Sequence, residues 1–330
     1  MTFESTPPAR GNDTPAPFNA SVLFLGAIAL GGAAGLLSSY SSAAFSQGID
    51  TTVLVMIFLL LFELRLGSIW RAFRDVRFLT VAWAANFIII PFIGFGIASL
   101  IFPTHPLLFT GLMIYFLAPC TDWFLGFTRL AKGDTELGAM LIPINMITQL
   151  LLFPVWLWLF AQATGAVDFA GVPQILFQWF LLPLLAAQSL RVILDSFAPR
   201  VWSDRLLFGI SQAIPFVLAA LVFQLFAAHI GAIATYLHIV ALTAVAVCLF
   251  FLATYAAGEL LSRLVGLNYP QRALLSMTMT ARNAPLMLAL SAVAIPDQPL
   301  ILAIIVSGML VEIPLLTALK QILIRQAPER

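Results

Sequence analysis

The chain has 330 residues, 61% of them hydrophobic and 9% charged, against about 45–50% and about 25% in an ordinary soluble domain. A water-soluble fold has no interior large enough to hide that apolar surface. Sixteen Lys and Arg against fifteen Asp and Glu give a formal net charge of +1, which makes no basic or acidic field and excludes nucleic acid as a partner.

The first 17 residues, MTFESTPPARGNDTPAP, are polar and Pro-rich and lack the basic start of a cleaved signal, so they are expected to form a disordered tail. Beyond them, a bilayer core that takes about 20 apolar residues per helix divides the chain into ten spans. The first half gives 20–37, 50–66, 78–101, 107–130 and 137–161; the second gives 172–195, 205–227, 236–262, 271–294 and 299–321. Loops with excess Lys and Arg stay on the cytoplasmic side. Fifteen of the sixteen basic residues fall on one face of this arrangement, with none in the loops around 47–50, 103–106, 165–171, 229–235 and 296–299. Both termini are therefore expected in the cytoplasm, for a multi-pass protein of the plasma (inner) membrane. The stretch RLGSIWRAFRDVRF after span two mixes basic and aromatic residues and is expected along the inner headgroups.

Gly31 and Gly35 in span one make a small-residue contact of the kind membrane helices use to approach closely. Span four, YFLAPCTDWFLGF, is interrupted by Pro119, and span nine, MTMTARNAPLMLAL, by Pro285. Each half of the chain thus carries one interrupted helix as the fourth of its five spans. Five is odd, so the halves insert with opposite topology, and matched interruptions in inverted halves point to a transporter site near the midplane. The expected division is a tail at 1–17, a first five-helix repeat at 18–165 and an inverted second at 166–330. Asp122 and Arg282 each lie three residues from a break, and each charge would cost about 2.5–3.5 kcal/mol at a helix centre on insertion scales. The expectation is that the broken helices cross with Asp122 and Arg282 within reach of one another; an ion pair that only fixes helix register is the other reading.

Asn145 and Gln149 share one face of span five. Glu312, just before Pro314 in span ten, is a candidate proton carrier or cation ligand, or else a protonated interhelical hydrogen-bond donor. Cys248 reads as packing, and His105, His229 and His238 are scattered near the outer surface without metal-ligand spacing. No HExxH, no GxSxG and no metal-ligand set is present, which argues against an enzyme.

With these clusters located, the sequence resembles the bile-acid/sodium symporter superfamily, and within it the arsenite-efflux permease branch. APCT at 118–121 with the following loop TRLAKGDTELG, INMITQLLLFP from Ile144, and LVEIP at 310–314 carry the resemblance. It implies an all-α membrane fold of ten helices in two inverted five-helix repeats, with the discontinuous fourth and ninth helices crossing. It also implies that Cys120 recognises arsenite, a thiophilic solute that travels mostly as a neutral trihydroxide at pH 7. Two features depart from the permeases: Asp122 and Trp123 stand where those proteins carry small or apolar residues, and no acid exists anywhere in 271–294. The expected function is secondary transport, with a metalloid oxyacid as the exported solute and Glu312 or Asp122 as the coupling carboxylate. The alternative is sodium-coupled import of a small organic anion that meets Arg282. Candidate substrate residues are Cys120, Thr121, Asp122, Arg282 and Asn283; candidate ion-coupling residues are Asp122, Asn145, Gln149 and Glu312. No cofactor is expected beyond Na+ or H+ as coupling ion, and the partners are the solute and the lipid bilayer.

Overall fold

A computed structural model of the chain describes residues 17–37, 39–63, 75–121, 123–164, 177, 181–197, 199–234, 237–295 and 298–328. The expectations for the N-terminal tail, for residues 65–74 of the basic aromatic stretch, for the division between 165 and 166, and for Asp122 lie outside these residues. Twelve helices are described: α1 Pro17–Leu37, α2 Ser39–Glu63, α3 Val76–Ile101, α4 Pro106–Leu117, α5 Trp123–Leu130, α6 Thr135–Thr164, α7 Leu182–Phe197, α8 Arg200–Ala234, α9 Leu237–Val265, α10 Tyr269–Thr280, α11 Ala284–Ala294 and α12 Pro299–Arg325. Among the described residues no sheet forms; a single antiparallel bridge joins Pro119 and Arg282.

Each expected span overlaps a helix in part, and among the described residues five segments are long and apolar enough to cross a membrane by length and composition: Val76–Ile101, Thr135–Phe153, Val201–Gly231, Ala241–Val265 and Pro299–Arg325. Shorter apolar helices run over Val22–Leu37, Pro106–Leu117 and Ala284–Ala294. Large apolar side chains also cover the outside, among them Phe92, Leu100, Leu151 and Leu252. A bundle apolar both inside and out suits hydrocarbon rather than water as its solvent.

Two helices run further than the hydropathy pattern indicates. α2 begins at Ser39, so Gln47–Asp50, expected in an outer loop, is helical. α8 continues to Ala234, through the expected loop at 229. Tertiary packing overrides the polar sequence at these ends: the Phe45 ring meets Phe223 of α8 edge to face at 5.0 Å, and Gly48 lies against the Gln224 side chain.

α3 is irregular in the middle, with a π turn at Ala85–Ile89. Pro91 follows and has no N–H for the carbonyl four residues back, which is the sequence cause of the irregularity. The turn carries Asn86, fully buried, on its inner side.

Helices α4, α10 and α11 occupy the centre. Leu108–Leu117 of α4, Ala273–Thr280 of α10 and all of α11 are buried, as the nearly all-apolar α4 and α11 require, while the buried part of α10 also carries Ser276, Thr278 and Thr280. Around them α1 packs closely on α8. A Cβ on Gly31 would stand 2.4 Å from the Phe223 carbonyl oxygen, and one on Gly35 2.3 Å from that of Ala227. Backbones this close leave no space for a side chain. Gly35→Leu is expected to push the two helices apart and destabilise the protein by about 1–3 kcal/mol, read as a lower melting temperature in detergent. Gly26→Ala on the same helix, where a Cβ meets nothing within 4 Å, is expected not to lower that temperature.

Candidate functional site

Two helices stop at the centre of the bundle and a second pair starts there. α4 ends at Leu117 and Ala118 turns extended (φ −101°, ψ 107°); α10 ends at Thr280 and Ala281 does the same (φ −74°, ψ 137°). The two extended segments run antiparallel, with the Cys120 N–H donating to the Ala281 carbonyl at 3.0 Å and the Asn283 N–H to the Ala118 carbonyl at 2.8 Å. These bonds flank Pro119 and Arg282, which form a pair of the type that exchanges no hydrogen bonds, so their outward sides must be satisfied elsewhere. Pro119 has no N–H to satisfy. The Arg282 N–H donates to Glu312 Oε1 on α12 at 2.7 Å.

The crossing diverts N–H groups that continuous helices would have used internally. Had α10 continued, residues 282 and 283 would have donated to the carbonyls of Thr278 and Met279; had α4 continued, residue 120 would have donated to Phe116. All three carbonyls are instead taken by the side chain of Arg282. Its Nη2 donates to Thr278 at 2.9 Å and Met279 at 2.8 Å, and its Nη1 to Phe116 at 2.8 Å. The guanidinium carbon lies 5.3 Å from the centre of the Phe250 ring, whose plane stacks on Phe116 at 4.1 Å. Arg282 is completely buried.

Glu312 receives a second donor: the Tyr115 hydroxyl lies 3.0 Å from Oε2 and 3.2 Å from the Gly308 carbonyl. Both carboxylate oxygens accept, as an ionised carboxylate does. Asn283 caps α11 by accepting from the Leu286 N–H at 3.4 Å, and its amide donates to Thr121 Oγ1 at 3.0 Å. Pro285 stands in the first turn of α11, where its missing N–H costs nothing.

The structure thus gathers Pro119, Cys120, Thr121, Arg282, Asn283, Pro285 and Glu312 at one place. The fully buried Cys120 sits on the extended segment itself. Asn145 reaches the crossing from α6, its amide donating to Thr278 Oγ1 at 3.4 Å. Gln149, one turn along, donates to the Met146 sulfur at 3.2 Å and lines a recess with Leu117, Ala118, Phe153, Trp156 and Met287. The void there is about 10 Å³, room for about one water. Arg282, expected to face a substrate anion, has both terminal nitrogens on backbone carbonyls. Cys248 is half-buried on α9.

Sequence reasoning missed Asn86, Thr278 and Tyr115. Asn86 donates to Thr278 Oγ1 at 3.1 Å, opposite Asn145, and the carboxamide oxygens of Asn86, Asn145 and Gln149 are buried without a hydrogen-bond partner. A lone Asn in the run VAWAANFIII was the available signal. Nothing local marks Thr278 or Tyr115, whose roles depend on helices far apart in the sequence.

A bundle apolar on both its outer and inner sides, with charge and carboxamides buried where two helices break, defines a membrane transporter. The chain belongs to the sodium bile acid symporter family, whose model matches residues 51–264. It is 28% identical over 283 residues to the arsenical-resistance protein Acr3 of Corynebacterium glutamicum, covering 82% of this chain and 75% of that protein. It is 27% identical over 166 residues to the probable sodium/metabolite cotransporter BASS2, chloroplastic, of Oryza sativa subsp. japonica, covering 50% of this chain and 38% of the rice protein.

Tyr115→Phe removes the hydroxyl that meets Glu312 and leaves the ring packing intact. A hydrogen bond to a charged group contributes about 1.5–3 kcal/mol, so the variant is expected to fold with stability lowered by that amount, measured by denaturation in detergent.

Proposed function

We propose that this protein is a secondary transporter exporting arsenite or a closely related metalloid oxyacid across the plasma (inner) membrane. In this reading its ten spans form two inverted five-helix repeats, 18–165 and 166–330, after a cytoplasmic tail at 1–17, and both termini face the cytoplasm. The observation that carries the reading is the position of Cys120: a buried thiol on the extended segment where both broken helices meet, in a chain similar over 82% of its length to a protein named for arsenical resistance. The thiol exchanges for one hydroxyl of the solute: an As–S bond forms, an As–O bond breaks, and the thiol proton leaves with that hydroxyl as water. Thr121 and Asn283, hydrogen-bonded to each other beside Cys120, supply polar contacts for the remaining hydroxyls, and Asp122 adjoins them in sequence. The solute is neutral, so its recognition needs no cationic ligand.

Glu312 is the coupling group in this reading. Its oxygens accept from the Arg282 backbone and from Tyr115; a proton on either oxygen converts one acceptor into a donor and weakens its hold on the crossing. Proton binding and crossing geometry are then linked through one carboxylate.

A second reading, sodium-coupled import of a small organic anion, is favoured by the unpartnered carboxamide oxygens of Asn86, Asn145 and Gln149, which are the hard donors a sodium ion takes. Arsenite flux into everted vesicles separates the two. Proton-gradient-driven uptake is expected with the intact protein, with a fall of about tenfold or more in Cys120→Ser. Absent uptake from membranes that contain the protein would refute arsenite export and leave sodium-driven anion uptake to be measured.

A further inference from the structure

The ends of α4 and α10 bring together three carbonyls, Phe116, Thr278 and Met279, whose helical partners the crossing has diverted. Helix C-termini carry partial negative charge, and in transporters built on broken helices such carbonyls are where a coupling cation binds. Here the position is filled by a side chain. The guanidinium donates to all three carbonyls within 2.9 Å, the Phe250 ring flanks it, and Glu312 sits on the same residue's backbone N–H. Oxygen donors, an aromatic face and a nearby carboxylate are the surroundings of a bound monovalent cation, and Arg282 is completely buried in them.

We propose that Arg282 is a tethered cation: it permanently occupies the position that an exchangeable coupling ion would take at the helix ends. Removing it opens a site for a small free cation. The tether also bears on the carboxamide cluster. Thr278 gives its carbonyl to the guanidinium and its hydroxyl oxygen to the amides of Asn86 and Asn145, so a sodium ion among those amides would sit one residue's breadth from a fixed positive charge, and the two repel. Arg282 therefore holds the crossing together and makes it indifferent to sodium. That consequence for coupling rests on the transporter reading above; occupancy of the site by Arg282 does not.

The test is thermal melting of the purified full-length protein in detergent, in low millimolar guanidinium, sodium or choline chloride at constant ionic strength. The wild type is expected to melt at one temperature in all three salts. Arg282→Ala is expected to melt about 5–10 °C lower in choline and to regain most of that loss in guanidinium. An Arg282→Ala protein that melts with the wild type, or that guanidinium leaves where choline does, overturns the proposal. So does a wild type that sodium stabilises over choline, since an exchangeable site then persists. Where Arg282→Ala yields no folded protein, the comparison is Arg282→Lys with Arg282→Gln. The charged variant is expected to give several-fold more monodisperse protein, and equal yields overturn the tethered-cation reading. These readouts contain no arsenite, so failed arsenite flux leaves them standing and their failure leaves the flux result intact.

Discussion

A peptide group at the centre of an apolar bundle has no water to turn to, and each unpaired N–H or C=O there costs several kcal/mol. Breaking two helices at one point creates a cluster of such groups, and the rest of the site follows from how they are paired. Two reciprocal backbone bonds join Ala118 to Asn283 and Cys120 to Ala281. The carbonyls of Phe116, Thr278 and Met279 go to the Arg282 side chain, and the Arg282 N–H goes to Glu312. Pro119 fits because its position in the bridge needs no donor. The capping of α11 by Asn283 then brings Thr121 and Cys120 beside the start of that helix.

The charges in this arrangement serve backbone groups first. A buried ion is tolerated when its hydrogen-bonding capacity is filled and an opposite charge is near. Arg282 meets the first condition at its two terminal nitrogens, which donate to carbonyls, while its Nε is buried without a partner; it meets the second through Glu312, which reaches it by way of the peptide N–H. Glu312 sits on α12, and Tyr115, its other donor, on α4. A carboxylate on one helix thus holds the ends of two others, so a change in its protonation acts on the place where they meet.

Spans, interruptions and the clustering of polar residues around them were legible in the sequence because each has a local signature: an apolar run, a proline, a charge where hydrocarbon is expected. The helical ends of α2 and α8 were not, because the contacts that hold them, Phe45 on Phe223 and Gly48 on Gln224, join residues remote in the chain. Arg282 was found by its charge, yet its role was not, since the side chain acts on carbonyls that no residue type advertises. Asn86 was overlooked as one amide in an apolar run, although the same reasoning that singled out Asn145 applies to it. Tyr115 and Phe250 look like any other aromatic residue until α4, α9 and α12 are brought together.

The Ala118–Cys120 segment finds its backbone partners more than 160 residues further along the chain, Cys120 at Ala281 and Ala118 at Asn283. While the protein is being made, the first broken helix is complete long before the second leaves the ribosome. During that interval the Phe116 carbonyl lacks the Arg282 guanidinium and the Ala118 carbonyl lacks the Asn283 N–H. The first half of the chain therefore matures only when the second half arrives, and the order of synthesis places the protein's most vulnerable moment in the time between Pro119 and Pro285.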